Sequence, residues 1–259
     1  MRYCRFRSAG RVLFGMIESQ AGRDIITRAA FSPAQWNKVD NFEPVPLSEA
    51  VLVAPVTPSK IICVGRNYRD HAKELGNEVP TRPLIFFKPP SSLQAPGGNI
   101  MRPRQDISQR VDFEGELAVV MDKTCHHLAD DAEVKTYIRG YTAANDVTAR
   151  DLQALDGQWT RAKGFDTFCP VGPIVSDEVD LAAGIILETR LNGELKQRGD
   201  TRNFIFSLDV IIRFISQVMT LLPGDVILTG TPAGVAPMQA GDVVEVSIAG
   251  IGKLRNPVV

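Results

Sequence analysis

In the segment Asp112-Phe113-Glu114-Gly115-Glu116-Leu117-Ala118-Val119-Val120, two glutamates one residue apart head an apolar run that reads as a strand. Side chains alternate between faces along a strand, so Glu114 and Glu116 share one face, their Cα atoms roughly 7 Å apart. The residues that follow, through Met121, are apolar enough for a core. Two like charges at the head of a buried strand are costly unless one is protonated or a cation neutralises both. Carboxylate oxygens suit a hard divalent ion, Mg²⁺ or Mn²⁺, better than they suit zinc. The chain therefore needs a fold in which an interior strand opens at one end onto a site for charge.

Size and composition narrow the choice. The chain has 259 residues, 44% hydrophobic and 23% charged, enough for a large core with room for a small appendage. Its net charge is −1 and its lysines and arginines are dispersed, which argues against a nucleic-acid partner. The four cysteines, Cys4, Cys63, Cys125 and Cys169, are scattered with no Cys-x-x-Cys. That spacing argues against a zinc site or a disulfide framework and fits a reducing, cytoplasmic setting. Arg2, Arg5, Arg7 and Arg11 make the start basic, but no apolar stretch and cleavage site follow as in a signal peptide. The longest apolar stretch, 204–222, is interrupted by Asp209 and Arg213. Its apolar residues recur at helical spacing, which predicts a core-facing helix from about Ser207 to Pro223-Gly224 rather than a membrane span.

The pattern changes at the proline-bearing linker Ala54-Pro55-Val56-Thr57-Pro58. Residues 1–57 read as a small N-terminal β domain, and 58–259 as the main domain. In the latter, strands are expected at 60–64, 84–87, 115–121, 137–144, 171–175, 185–191, 225–229 and 242–248. Helices are expected near 68–75, 130–139, 148–156 and 207–220. Strict βαβ alternation is missing, so a β-rich α/β roll fits better than a doubly wound parallel sheet.

Several segments carry candidate chemistry. In Arg66-Asn67-Tyr68-Arg69-Asp70-His71-Ala72-Lys73-Glu74-Leu75-Gly76, Asn67 or Asp70 is placed to cap a short helix that Gly76 ends. His71 and Glu74, at i,i+3, are able to touch, and a carboxylate that fixes an imidazole tautomer makes a positioned base. The pair His126-His127 reads as an exposed turn. Asp146, where a strand of small residues ends, offers either a third oxygen ligand or a helix N-cap. An anionic substrate beside three carboxylates would need cations, for which Lys163, Lys88, Arg66 and Arg150 are candidates. The loop after Leu228, Thr229-Gly230-Thr231-Pro232-Ala233-Gly234, presents backbone N–H groups and the Thr231 hydroxyl to a carboxylate.

Taken in order, Val64-Gly65-Arg66-Asn67-Tyr68, the His71/Glu74 pair, Phe86-Phe87-Lys88-Pro89, Glu114-Gly115-Glu116, Asn145-Asp146-Val147-Thr148-Ala149-Arg150-Asp151 with Gln153, Lys163 before Phe165-Asp166, and Leu228 to Val235 resemble the fumarylacetoacetate hydrolase family. The resemblance spans residue 58 to the end. It implies a mixed β-roll catalytic domain, a homodimer, and Mg²⁺ or Mn²⁺ on Glu114, Glu116 and Asp146. It also implies a water-activating His71/Glu74 dyad on a mobile lid, with Lys163, Arg150 and Gln153 lining a 2-oxo acid substrate. Arg66, Tyr68, Lys88 and Thr231 complete the expected substrate side. The intact dyad favours C–C hydrolysis of a 2,4-diketo acid such as an acylpyruvate or fumarylpyruvate. Double-bond isomerisation of 2-hydroxyhepta-2,4-diene-1,7-dioate, or decarboxylation or tautomerisation of oxaloacetate, is the alternative on the same site. An inert metal- or oxo-acid-binding relative is the alternative from another class. The lid from Leu75 to Arg82 and the loop Asp156-Gly157-Gln158-Trp159 are expected to set the size of the distal half of the substrate.

Overall fold

The computed structural model of the chain describes every residue except 34, 35, 37, 38, 40, 41, 75 and 77. Among the described residues, strands form a twelve-stranded sheet, a four-stranded sheet and a three-stranded sheet. Across the largest, the main path runs Val45–Pro46, Arg23–Ala30, Arg11–Gln20, Arg2–Ser8, Cys169–Ser176, Ile138–Asn145, Gly115–Met121, Val226–Leu228, Ile61–Gly65 and Leu84–Lys88. The sheet is mixed, because Val226–Leu228 lies parallel to Ile61–Gly65 while its other neighbour, Gly115–Met121, is antiparallel. The β-rich reading of the sequence holds. Arg2–Ser8 pairs with Cys169–Ser176, and Cys4, Phe6 and Leu13 join the same apolar cluster as Ile62, Leu117 and Ile211. The strands Arg2–Ser8 and Arg11–Gln20 thus share sheet and core with the rest of the chain.

The glutamate strand, Gly115–Met121, is buried along its whole length. Leu117, Val119 and Met121 pack on the face that holds helix α4 (Leu208–Val218), while Ala118 and Val120 pack with Ile61, Cys63 and Val226 on the other. Burial on both faces explains why the run after Glu116 is continuously apolar instead of alternating. Helix α4 begins where expected: the Ser207 hydroxyl accepts from the Val210 N–H at 3.4 Å. It buries Leu208, Ile211, Ile212 and Ile215, and ends at Val218, ahead of Pro223-Gly224.

The expected helix over 130–139 is absent. Only a short 3₁₀ turn forms at Val134–Tyr137, and Ile138 starts a strand. The aromatic and β-branched residues from Tyr137 onward fit a pleated, half-buried surface better than a helix. Strands at Glu194–Asp200 and Gly252–Pro257 were not legible, since their charged residues point outward and only Gln197 and Gly199, or Leu254 and Asn256, are buried.

Asp225 staples the parallel pair. Its buried carboxylate accepts from the Ser59 hydroxyl at 2.7 Å, the Ser59 N–H at 3.0 Å and the Leu222 N–H at 2.8 Å, and it ion-pairs with Lys60. Burial raises its pKa, but the Lys60 and Ser59 bonds outweigh burial and hold it below the ordinary carboxylate value. Asp225→Ala is expected to cost about 2–4 kcal/mol by orphaning these donors. Because the folded pKa is depressed, this contribution is full above the ordinary carboxylate pKa and fades as the pH falls through the folded one. Urea titrations at pH 7 and in acid check it: a gap between parent and variant that does not shrink in acid would sink the assignment.

Candidate active site

The register of the sheet builds the site. Gly115 pairs with Asn145 and Glu116 with Ala144, and the Asp146 N–H donates to the Glu114 carbonyl at 2.8 Å. The Asn145 side chain accepts from the Glu114 N–H at 2.9 Å. Oxygens of Glu114, Glu116 and Asp146 consequently converge within 4.8 Å of one another, all three residues buried. They face a cavity of about 290 Å³ whose lining also includes Arg66, His71, Phe86, Arg150, Gln153, Trp159, Lys163 and Thr231.

Cations hold two of the three carboxylates. Lys163, at the end of helix α3 (Thr160–Lys163), donates from Nζ to Glu114 Oε2 at 2.8 Å and Asp146 Oδ2 at 2.6 Å. Lys88 Nζ donates to Asp146 Oδ1 at 2.6 Å and to the Val147 carbonyl at 3.1 Å. Arg150, opening helix α2 (Arg150–Asp156), donates from Nη2 to Glu114 Oε1 at 2.6 Å, from Nε to Asp112 Oδ2 at 2.9 Å and from Nη1 to Gln153 Oε1 at 2.6 Å. Burial alone would raise the Glu114 carboxyl, but Lys163 and Arg150 overcome it and hold the group below its ordinary value. For Lys163, burial disfavours the charge, and Asp146 and Glu114 more than restore it.

Glu116 differs. Its partner is the Gly230 N–H, which donates to Oε2 at 2.6 Å, and among the described residues no cation pairs with it. Burial, reinforced by the nearby charges of Asp146 and Glu114, lifts its carboxyl well above the ordinary value. A buried carboxylate without a counter-cation, converging with two others, is compatible with a hard divalent ion, the class that an oxygen-only donor set suits. Cysteine chemistry does not compete. Burial pushes the Cys63 thiol up and that of Cys169 to about 12, so neither is a thiolate at neutral pH.

Helix α1 (Arg69–Glu74) carries the candidate His71–Glu74 pair. His71 Nδ1 lies 3.1 Å from Glu74 Oε2, and the Gly234 N–H donates to Glu74 Oε1 at 2.9 Å. Gly234 has φ +103°, and a Cβ there would run into the Lys196 carbonyl, so only glycine brings its N–H to Glu74. Asn67 does not cap α1. Its side chain donates to the Phe206 and Thr229 carbonyls and accepts from the Phe206 N–H at 2.8 Å, clipping two loops together.

The remaining expected residues divide. Arg66, Arg150, Gln153, Lys163 and Thr231 line the cavity; Tyr68 and Lys88 do not. Lys88 is fully buried behind Asp146, and the Tyr68 ring packs edge-on against Phe204, centroids 5.1 Å apart. The loop after Thr229 also differs from expectation. The Gly230 and Gly234 N–H groups take the protein's own Glu116 and Glu74, and Thr231 Oγ1 donates to the Gly115 carbonyl at 2.8 Å. Gln197 was missed: it accepts from the Gly115 N–H at 3.0 Å and donates to Thr231 Oγ1 and the Pro232 carbonyl, both at 2.8 Å. It sits in the polar run Lys196-Gln197-Arg198, where nothing local separates a buried amide from a solvated one. Asp112, which accepts from Arg150, stands two residues before Glu114 but on a separate strand, Val111–Phe113, in a different sheet from Gly115–Met121. His126 and His127 are exposed, as expected. Of the segment from Leu75 to Arg82 expected to form a lid, Leu75 and Asn77 lie outside the described residues.

Removing the Lys88 charge isolates its role. Lys88→Met is expected to destabilise the metal-free protein by about 3 kcal/mol, because Asp146 loses a buried counter-charge and the Val147 carbonyl a donor. An unchanged chemical-denaturation midpoint would show that Asp146 does not depend on it.

Residues 60–259 match the family described as fumarylacetoacetate (FAA) hydrolase, C-terminal. The oxaloacetate tautomerase YisK of Bacillus subtilis is 38% identical over 260 residues, covering 94% of this chain and 86% of that protein. The mitochondrial oxaloacetate tautomerase Fahd2a of Rattus norvegicus is 41% identical over 226 residues, covering 83% of this chain and 71% of that protein. A crystal structure of 2-hydroxyhepta-2,4-diene-1,7-dioate isomerase from Mycobacterium marinum matches with a TM-score of 0.88 at 43% identity, over 100% of this chain and 98% of that one.

Proposed function

We propose that this chain, which belongs to the fumarylacetoacetate hydrolase family, is a divalent-metal-dependent enzyme that moves a proton on a 2-oxo acid, as a keto–enol tautomerase or double-bond isomerase. One observation carries the reading: the His71–Glu74 base and the triad Glu114, Glu116 and Asp146 open on the same cavity. The oxaloacetate tautomerases and the dienedioate isomerase among its relatives support it, since both reactions shift a proton beside a 2-oxo or 2-hydroxy acid.

The residues divide the labour. Glu114, Glu116 and Asp146 would hold Mg²⁺ or Mn²⁺, which when bound supplies Lewis acidity toward the substrate's carboxylate and 2-oxo oxygens. With Glu74 accepting from Nδ1–H, the lone pair on His71 is left on Nε2, the atom that takes the proton from one substrate carbon and delivers it to the 2-oxo oxygen in tautomerisation or to another carbon in isomerisation. Lys163 stays protonated beside Glu114 and Asp146 and keeps their oxygens turned together. Phe86 and Trp159 close the apolar wall, their rings edge-to-face with centroids 5.0 Å apart, and exclude water there.

C–C hydrolysis of a 2,4-diketo acid remains the second reading, favoured by the same dyad, which would then take its proton from water. An ultraviolet assay separates them. Mg²⁺-dependent decay of enol-oxaloacetate absorbance, lost with EDTA, is expected. Pyruvate released from acetylpyruvate or fumarylpyruvate without enol turnover would replace the first reading with the second. Oxalate binding with no turnover of any of these would make the chain an inert binder. A homodimer and a cytoplasmic location also belong to this reading; among the described residues no helix is long and apolar enough to cross a membrane.

A further inference from the structure

We infer that Arg66 binds a second, distal carboxylate of the substrate, so that the site selects 2-oxo dicarboxylates over monocarboxylates; this rests on the 2-oxo acid reading above. Three fixed cations line the cavity: Arg66, Arg150 and Lys163. Two are already committed. Lys163 binds Glu114 and Asp146, and Arg150 binds Glu114 and Asp112. Arg66 is paired with no carboxylate among the described residues. Its guanidinium lies over the Trp159 ring, 6.0 Å from the centroid.

That placement is built in. Trp159 is wedged between Phe86 and the backbone of Gly65, where an added Cβ would come within 3.1 Å of the indole. Arg66 itself has φ +59°, a left-handed conformation that costs a non-glycine residue about 1 kcal/mol. The conformation is held by its neighbour Asn67, which is clamped to Phe206 and Thr229. The strain thus sits at the lining arginine that, among the described residues, has no counter-charge. A guanidinium stacked on an aromatic face keeps its N–H edge free for bidentate contact with a carboxylate. Trp159, over which Arg66 lies, and Phe86, edge-on to Trp159, offer no carboxylate of their own. A ligand with an uncharged distal end would strip water from Arg66 and return nothing, whereas a dicarboxylate returns a charged hydrogen-bond pair.

Malate and lactate test this without turnover. They share a 2-hydroxy-carboxylate end, differ in the distal carboxylate, and lack the oxo group. In calorimetry on the Mg²⁺-loaded protein, malate is expected to bind the parent about 10- to 100-fold more tightly than lactate. Arg66→Asn, whose side chain tolerates a left-handed backbone, should erase the preference while lactate affinity stays within about threefold. Arg66→Lys should keep part of it. Equal affinities in the parent, or a preference that survives in Arg66→Asn, would overturn the inference. Oxaloacetate turnover measured alongside separates the two readings. A parent that turns nothing over yet shows the Arg66-dependent preference loses the proposed reaction and keeps this one. Turnover without that preference does the reverse.

Discussion

Glu116→Gln is expected to leave the metal-free protein at least as stable as the parent while lowering metal-dependent turnover by about 10³-fold or more, the several kcal/mol that a Lewis acid supplies. The two halves have one cause. Among the described residues Glu116 is the triad member without a cation: buried, with Asp146 and Glu114 close by, and bonded to the Gly230 N–H. Burial and the two neighbouring carboxylates raise its folded pKa. The metal-free parent loses stability as the pH rises above the ordinary value of 4.5 toward the folded pKa. Glutamine keeps the acceptor for Gly230, has nothing to ionise, and escapes that loss. The stability gap should therefore favour the variant increasingly from about pH 4.5 upward, and the rise in Tm on adding Mg²⁺ should disappear. Asp146→Asn makes the contrast. It too would lose turnover, but it strips Lys88 and Lys163 of a shared partner and should destabilise the metal-free fold. If Glu116→Gln instead unfolds the metal-free protein, or keeps its Mg²⁺-dependent Tm rise, the assignment of Glu116 as an ion ligand is wrong.

What the sequence made legible, and what it did not, follows from the range of the forces involved. The Glu114–Glu116 spacing and the His71–Glu74 spacing are local, set by strand and helix periodicity, and both reach the cavity. Asp146 needs one further step, the strand pairing that sets Asn145 opposite Gly115, and small residues ending in charge are enough to suggest it. Gln197 comes from a strand 82 residues from Gly115 along the chain, on the second sheet, and no periodicity announces it. Lys88 shows another limit. Sequence reading identifies it as a cation near a site, but whether its ammonium meets substrate or Asp146 depends on side-chain depth, which the strand pattern of Leu84–Lys88 does not encode. The three-stranded sheet of Val111–Phe113, Thr148–Ala149 and Ala236–Pro237 was invisible for a similar reason, since each piece is too short to carry a period.

The second large effect falls on the dyad. His71→Asn should lower kcat by about 10²- to 10⁴-fold, the usual contribution of a positioned base, with affinities for Mg²⁺ and oxalate nearly unchanged. Glu74→Gln should do almost as much, although it removes no base. In the parent, Glu74 Oε1 accepts from the Gly234 N–H and Oε2 faces His71 Nδ1. A glutamine that keeps its oxygen on Gly234 turns its NH₂ toward Nδ1, which must then accept. The ring proton moves to Nε2, and the lone pair that takes the substrate proton is gone. Because both substitutions remove the same lone pair, the double variant should be no slower than His71→Asn alone. Additive losses would mean that Glu74 touches the reaction by a route other than His71. A Glu74→Gln variant at full rate would mean that the tautomer is fixed elsewhere, and the reading of α1 as the base-bearing helix would have to give up its carboxylate while keeping its histidine.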